Sequence, residues 1–201
     1  MKKLSIDNPF FDFMSNVADL VLLNIIWILT CIPLFTIGVS QTSIYRIMLR
    51  RARKTCVYPV KEYLAVWKEE FRKSTKLWIG MLVVVALLVF DLMYMGKKWN
   101  VWGIAIGVLL FLWMILFSYV FPLMAQFDNT IKNTMKNASY MAVRHLPFTI
   151  LILVLNLIPV FCVLAGGAIM QVTLPIYLAA GFALTARINA VIFKTIFEKY
   201  M

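Results

Sequence analysis

The sequence predicts an all-α fold, a polytopic transmembrane helical bundle of about five spans with cytoplasmic interfacial amphipathic helices, in one membrane domain covering residues 1–201. Three observations lead there. Of the 201 residues 63% are hydrophobic and 14% charged, against about 25% charged in soluble domains. Five apolar stretches approach or exceed the roughly 20 residues a helix needs to cross the hydrocarbon core. Between them, apolar residues recur at three- and four-residue spacing among Lys, Arg and Asn, the pattern of helices lying at an interface.

The elements follow in chain order. Met1-Lys2-Lys3 before an apolar run has the look of a signal peptide. Asp7, Asp12, Asp19 and Asn24 interrupt the run, however, and no small-x-small cleavage site follows, so the segment is expected to be retained. Residues 17–35 (VADLVLLNIIWILTCIPLF) form the first span. It ends where Pro33 breaks the helix and Thr36 and Gly38 loosen the backbone. Two amphipathic helices come next. Ser40 to Lys54 gathers Ile44, Ile47 and Met48 on one side, with Arg46, Arg50 and Arg53 elsewhere; Val60 to Lys76 spaces Val60, Tyr63, Leu64, Trp67 and Phe71 along one face. Both are too polar to span and suit the bilayer surface.

Leu77 to Met95 is the second span, interrupted only by Asp91 near its far end. A short turn at residues 96–100 (GKKWN) forces an antiparallel third span from about Val101 to Leu123. Another amphipathic helix is marked by Phe127, Ile131, Met135, Ala138 and Met141 or Ala142, with Asn129, Lys132, Asn133, Lys136 and Asn137 on its other faces. His145-Leu146-Pro147 starts the fourth span, Phe148 to Met170, which contains Asn156 and Pro159. After Gln171-Val172-Thr173 comes the fifth, Leu174 to Phe197, with Arg187 and Asn189 in its second half. A faint internal repetition, in which the first and third spans both run to a Pro-Leu pair (Pro33-Leu34 and Pro122-Leu123), carries little residue identity.

A net charge of +11 would suggest nucleic acid in a soluble protein, but in a membrane protein Lys and Arg collect in cytoplasmic segments, and no nucleic-acid partner is expected. Of the 20 Lys and Arg residues, 16 fall on the side that follows the first and third spans and ends the fifth. That bias places the protein in the cell membrane with its N-terminus outside and its C-terminus cytoplasmic. Cys31, Cys56 and Cys162 show no C-x-x-C spacing, so neither a disulfide framework nor a metal site is expected. There is no H-E-x-x-H, G-x-S-x-G or Walker A loop and only one histidine, His145; the chain reads as a non-enzyme without cofactor.

Ionisable groups at membrane depth are interfacial, paired or functional, because each costs a few kcal/mol to insert. Asp19 starts the first span and Asp91 ends the second, both near the outer face in this orientation. Arg187 lies about 20 Å into the fifth span at 1.5 Å per residue. It either snorkels to the cytoplasmic interface or pairs with Asp128, just past the inner end of the third span. Asn24, Asn156 and Asn189 are candidates for hydrogen bonds between helices. Gly103 and Gly107 make a G-x-x-x-G that permits close packing, more readily within one subunit than between two; the oligomeric state is left open. The basic run Arg46, Arg50, Arg51, Arg53 and Lys54 either marks the cytoplasmic side or faces anionic lipid.

Residues 27–45 (WILTCIPLFTIGVSQTSIY) resemble the hallmark segment of the YesL family of bacterial membrane proteins, through Trp27, Pro33, Thr36, Gly38 and Tyr45. Further likeness lies in Phe71 to Lys76, in Phe121-Pro122-Leu123, and in Phe127 leading into Asn137-Ala138. The resemblance implies a small protein of about five spans with no assigned catalytic residues, often associated with carbohydrate ABC import systems. It therefore suggests an accessory or regulatory component of carbohydrate uptake, contacting lipid and transporter permease subunits. Two alternatives remain open. One is a small-solute channel or transporter, with the helix breaks at Pro33, Gly38 and Pro159 around a polar path. The other is a scaffold that binds anionic lipid.

Overall fold

The computed structural model describes residues 9–55, 58–94 and 101–200. Asp7, Cys56 and the expected turn at residues 96–100 lie outside them. The order is α1 (Pro9–Cys31), a 3-10 turn (Leu34–Thr36), α2 (Ile37–Ala52), α3 (Pro59–Tyr94), α4 (Val101–Gln126), α5 (Ile131–Arg144), α6 (Leu146–Ala165), α7 (Gly167–Ile176), a π turn (Tyr177–Gly181) and α8 (Phe182–Phe197), with no strand among the described residues. Phe13–Cys31, Pro59–Tyr94, Val101–Gln126, Leu146–Ala165 and Gly167–Phe197 are long and apolar enough to cross a membrane. Their outward faces carry exposed Val83, Leu87, Phe90, Leu109, Phe111, Phe161 and Leu164, an apolar surface suited to lipid. The chain is a multi-pass, all-α membrane bundle.

The expected surface helix of Ser40 to Lys54 is instead the centre of the bundle. Ten of the sixteen residues of α2 are buried, from Gly38 to Leu49, and it packs against α1, α3, α4 and α8. Polarity misleads here because its hydroxyls are satisfied internally. Thr42 donates to the Gly38 carbonyl at 3.1 Å and Ser43 to Val39 at 2.8 Å, while Thr42 and Ser74 hydroxyls meet at 3.0 Å. Small side chains at these positions let α3 approach closely. At Gly38 an added Cβ would collide with Trp78 Cβ and lie 2.9 Å from the Ser74 carbonyl oxygen. Gly38 is a packing glycine inside a helix, not a helix break.

Val60 to Lys76 and the second span form one uninterrupted helix, α3. Hydropathy changes at Lys76, but no Gly or Pro interrupts residues 60–79, so the backbone has no reason to stop. Pro33 does end α1, whereas Pro122 and Pro159 lie inside α4 and α6. The turn between α6 and the last membrane helix falls at Gly166 and Gly167, not at residues 171–173. Their φ values of +61° and +52° are open chiefly to glycine. In the G-x-x-x-G of α4 Gly103 is buried, whereas Gly107 is exposed with nothing within 4 Å of an added Cβ.

On the basic side, α5 starts at a Thr130 cap whose side chain accepts from the Asn133 N–H, and it buries Thr134, Ala138, Met141 and Ala142. Met135, expected on the inner face, is exposed and Thr134 takes its place. His145 joins α5 to α6, its Nε2 3.1 Å from the Tyr200 hydroxyl. Burial first, then the charges of Lys199 and Arg144, hold its pKa below the ordinary 6.5. Between that lowered value and 6.5 the unfolded chain binds the extra proton, so stability rises with pH through the window and falls on acidification. Lowering the pH from about 7 to about 5 should therefore cost the parent more thermal stability in detergent than it costs the His145→Gln protein.

Candidate functional site

A cavity of about 310 Å³ opens between α1, α2, α4, α6 and α8, within the roughly 300–1,000 Å³ usual for ligand pockets. Six aromatic rings line it: Trp27, Tyr45, Trp113, Phe117, Phe121 and Phe182. Its polar lining comes from Gln41, Ser118, Asn156, Thr185 and Tyr45, and among the described residues no charged side chain contributes.

The rings are fixed by one another. Trp113 stacks on Phe117 at 5.4 Å between centroids, Phe117 meets Phe121 edge-on at 5.3 Å, and Trp27 packs on Phe182 at 4.8 Å. Residues 113, 117 and 121 recur every four positions and so share one face of α4. The Trp113 indole N–H donates to the Met81 carbonyl at 3.1 Å, anchoring this ladder to α3.

Behind the rings runs a chain of neutral hydrogen bonds joining four helices. The fully buried Asn189 of α8 donates to the Asn156 Oδ1 of α6 at 2.8 Å and to the Tyr45 hydroxyl of α2 at 3.2 Å. Asn156 in turn donates to Ser118 of α4 at 3.2 Å. Asn156 and Asn189 are thus brought together, as their polarity at membrane depth suggested, and Pro159 lies one turn beyond Asn156 in the cavity wall. Gln41, Ser118 and Thr185 join the polar lining as well, and of these the hydroxyl at position 118, within an apolar span, is the one that polarity at membrane depth marks in the sequence.

Asn24 has a separate task. Its Nδ2 donates to the carbonyls of Tyr177 and Leu178 at 3.1 and 2.7 Å, and its Oδ1 accepts from the Ala183 N–H at 2.9 Å. These are groups of the π turn and the start of α8, where the regular helical ladder is broken. A single side chain from α1 repairs the defect.

The charged candidates lie elsewhere. Asp128 does not pair with Arg187: it accepts from Lys73 Nζ of α3 at 2.7 Å, and that hydrogen bond and charge hold its carboxyl below the ordinary 3.8. Arg187 is half-buried on α8 and forms no ion pair among the described residues. Asp91 is exposed near the end of α3. Asp19 is not remote from the basic run: with Asn16 it holds Arg51, at 3.0 and 2.7 Å.

Three of the five cations of that run, Arg46, Arg50 and Arg51, are paired with carboxylates within the protein. Arg50 pairs with Glu62 at 2.9 Å, and Lys54 ends the segment with φ +58°. The Arg53 backbone N–H donates to the Leu49 and Arg50 carbonyls at 3.2 and 3.1 Å. Arg46, only 18% exposed, reaches Glu69 at 3.3 Å, Glu70 at 2.5 Å and the Ala125 carbonyl at 3.2 Å. Carboxylates spaced along α3 draw these cations inward. Arg46→Leu, which strands the nearly buried Glu70, should lower stability in detergent by about 3 kcal/mol. By contrast Arg50→Leu, at a half-exposed pair, should cost at most about 1 kcal/mol.

Residues 20–92, which span about half of α1 together with α2 and nearly all of α3, match the model of a family described as a protein of unknown function, DUF624. No curated protein and no solved structure matches the chain.

Proposed function

We propose that the protein is a non-enzymatic component of the bacterial cell membrane that binds an uncharged, hydroxyl-bearing small molecule in the cavity between α1, α2, α4, α6 and α8. In this reading it serves carbohydrate uptake as an accessory or regulatory partner of ABC importer permease subunits. The observation that carries the proposal is the lining: six aromatic rings, neutral amides and hydroxyls, and no charge among the described residues. Such a wall offers flat apolar faces and exchangeable hydrogen bonds, and leaves an ionic ligand without a counter-charge. The link to uptake rests on the resemblance of residues 27–45 to the YesL family, and two of the residues that carry it, Trp27 and Tyr45, line the cavity. Purification in mild detergent from native membranes should recover permease subunits of a carbohydrate importer. Their absence would remove the accessory role.

A solute channel or transporter is the second reading. It is favoured by the position of Asn156 and Pro159 in the cavity wall, since a proline at membrane depth frees a backbone carbonyl along a polar path. Reconstituted protein that passes labelled neutral sugars across a vesicle bilayer would decide for it.

A further inference from the structure

We infer that α1 and α2 form a re-entrant hairpin, which enters and leaves the bilayer through its cytoplasmic face, so that the start of α1 lies on the cytoplasmic side. The inference is independent of what the cavity binds.

The hairpin arms are antiparallel. Asn16 and Asp19 near the start of α1 hold Arg51 at the end of α2, while at the other end the Thr30 carbonyl accepts from Thr36 and Ser40 at 2.6 and 3.1 Å. The start of α1 therefore shares a level with the basic end of α2. That level is the cytoplasmic one, for Lys194 near the end of α8 reaches the Ala52 carbonyl at 3.3 Å and the positive bias of the connecting segments sets that side. If α1 instead crossed from outside, Arg50, Arg51 and Arg53 would be carried to the outer face against the bias.

The tip of the hairpin stops within the membrane. Its Leu34 carbonyl accepts from the Trp78 indole N–H at 2.7 Å, only the second residue of the apolar half of α3. Beyond Trp78, α3 runs on to Tyr94, roughly 24 Å further at 1.5 Å per residue. At 16 residues α2 is itself only roughly 24 Å long, short of the hydrocarbon thickness of about 30 Å.

The tip also has the chemistry of a turn held in lipid. Ile32, Leu34 and Phe35 are 71%, 66% and 51% exposed, so apolar side chains face outward. Meanwhile the carbonyls of Thr30, Pro33 and Leu34 each accept within the protein, from the Ser40 hydroxyl, the Thr36 N–H and the Trp78 indole N–H respectively. A turn in water has no need of that, but irregular backbone at membrane depth must find its partners internally. With α1 turned back, α3, α4, α6 and the α7–α8 helix make four crossings, and the C-terminal end remains cytoplasmic. Lys2 and Lys3 then join the other cations, leaving Lys97 and Lys98 opposite, a stronger bias than N-outside gives.

Single cysteines decide the matter. In a chain whose Cys31, Cys56 and Cys162 are alanine, Ser15→Cys is compared with Lys132→Cys on the cytoplasmic side and Lys97→Cys on the outer side, using a membrane-impermeant maleimide. In intact cells Ser15→Cys should stay unlabelled with Lys132→Cys while Lys97→Cys reacts, and inside-out vesicles should reverse the pattern. Labelling of Ser15→Cys in intact cells, or reaction only after detergent is added, overturns the hairpin. An epitope placed before Met1 gives the same reading without cysteine replacement: antibody access should require permeabilised cells, and access in intact cells contradicts the inference.

Discussion

Gly38→Ala should lower the stability of the detergent-solubilised protein by about 3 kcal/mol, at the upper end of what a single added methyl costs in a packed core. The methyl has nowhere to go. One neighbour is Trp78 Cβ, whose indole is tethered to the Leu34 carbonyl, and the other is the backbone oxygen of Ser74. Neither is the movable end of a side chain, so α2 and α3 must separate. Separation also weakens the Thr42 to Ser74 bond. Thermal unfolding of matched variants isolates the effect. Gly80→Ala and Gly107→Ala, where an added Cβ meets nothing within 4 Å, should be neutral or stabilising by up to about 1 kcal/mol through helix propensity. Equal losses at all three positions would show that close packing of α2 on α3 is not what Gly38 provides.

Asn24→Leu comes second, at about 2–4 kcal/mol. Interhelical hydrogen bonds in membranes contribute well under about 1 kcal/mol each on average. Here, however, three are lost together, and the Tyr177 and Leu178 carbonyls of the π turn and the buried Ala183 N–H are left without this partner. Asn156→Leu, which removes the donor to Ser118 and the acceptor for Asn189, should cost less, because it leaves side chains with other rotamers available. The readout is again thermal unfolding in detergent, and hydrogen exchange at Ala183 should rise in the Asn24→Leu protein alone. A cost no greater than that of Asn156→Leu would mean that the π turn repairs itself.

Hydropathy and charge were enough to see a membrane bundle, and membrane-depth polarity picked out Asn24, Asn156 and Asn189, all of which join helices. What those signals missed has a physical pattern. The polarity of Ser40, Thr42 and Ser43 looked like a wet surface because hydroxyls that bond to their own helix carbonyls cannot be told from solvated ones by composition. Lys76 looked like a helix boundary because hydropathy changes there, although the backbone continues. Arg46 and Arg51 looked free because their carboxylate partners are 24 and 32 residues away in the chain. The Asp128 to Arg187 pairing failed for the same reason, since depth alone did not show that Lys73 was nearer. Of the cavity, Asn156 and Pro159 were legible singly. The aromatic wall was not, because its rings come from four helices and the spacing within one helix cannot show which rings meet across the bundle.

The central claim is that the uncharged cavity is a ligand site, and its own tryptophans test it most directly. Trp27 and Trp113 line it, so titrating the detergent-solubilised protein with neutral oligosaccharides should give a saturable change in indole fluorescence. Charged sugar phosphates should give none. Ala186→Phe, which puts a ring into the cavity from α8, should abolish the change, with cooperative thermal unfolding in detergent showing that the variant is folded. No saturable change with any neutral sugar, or the same change in the filled variant, would contradict the account.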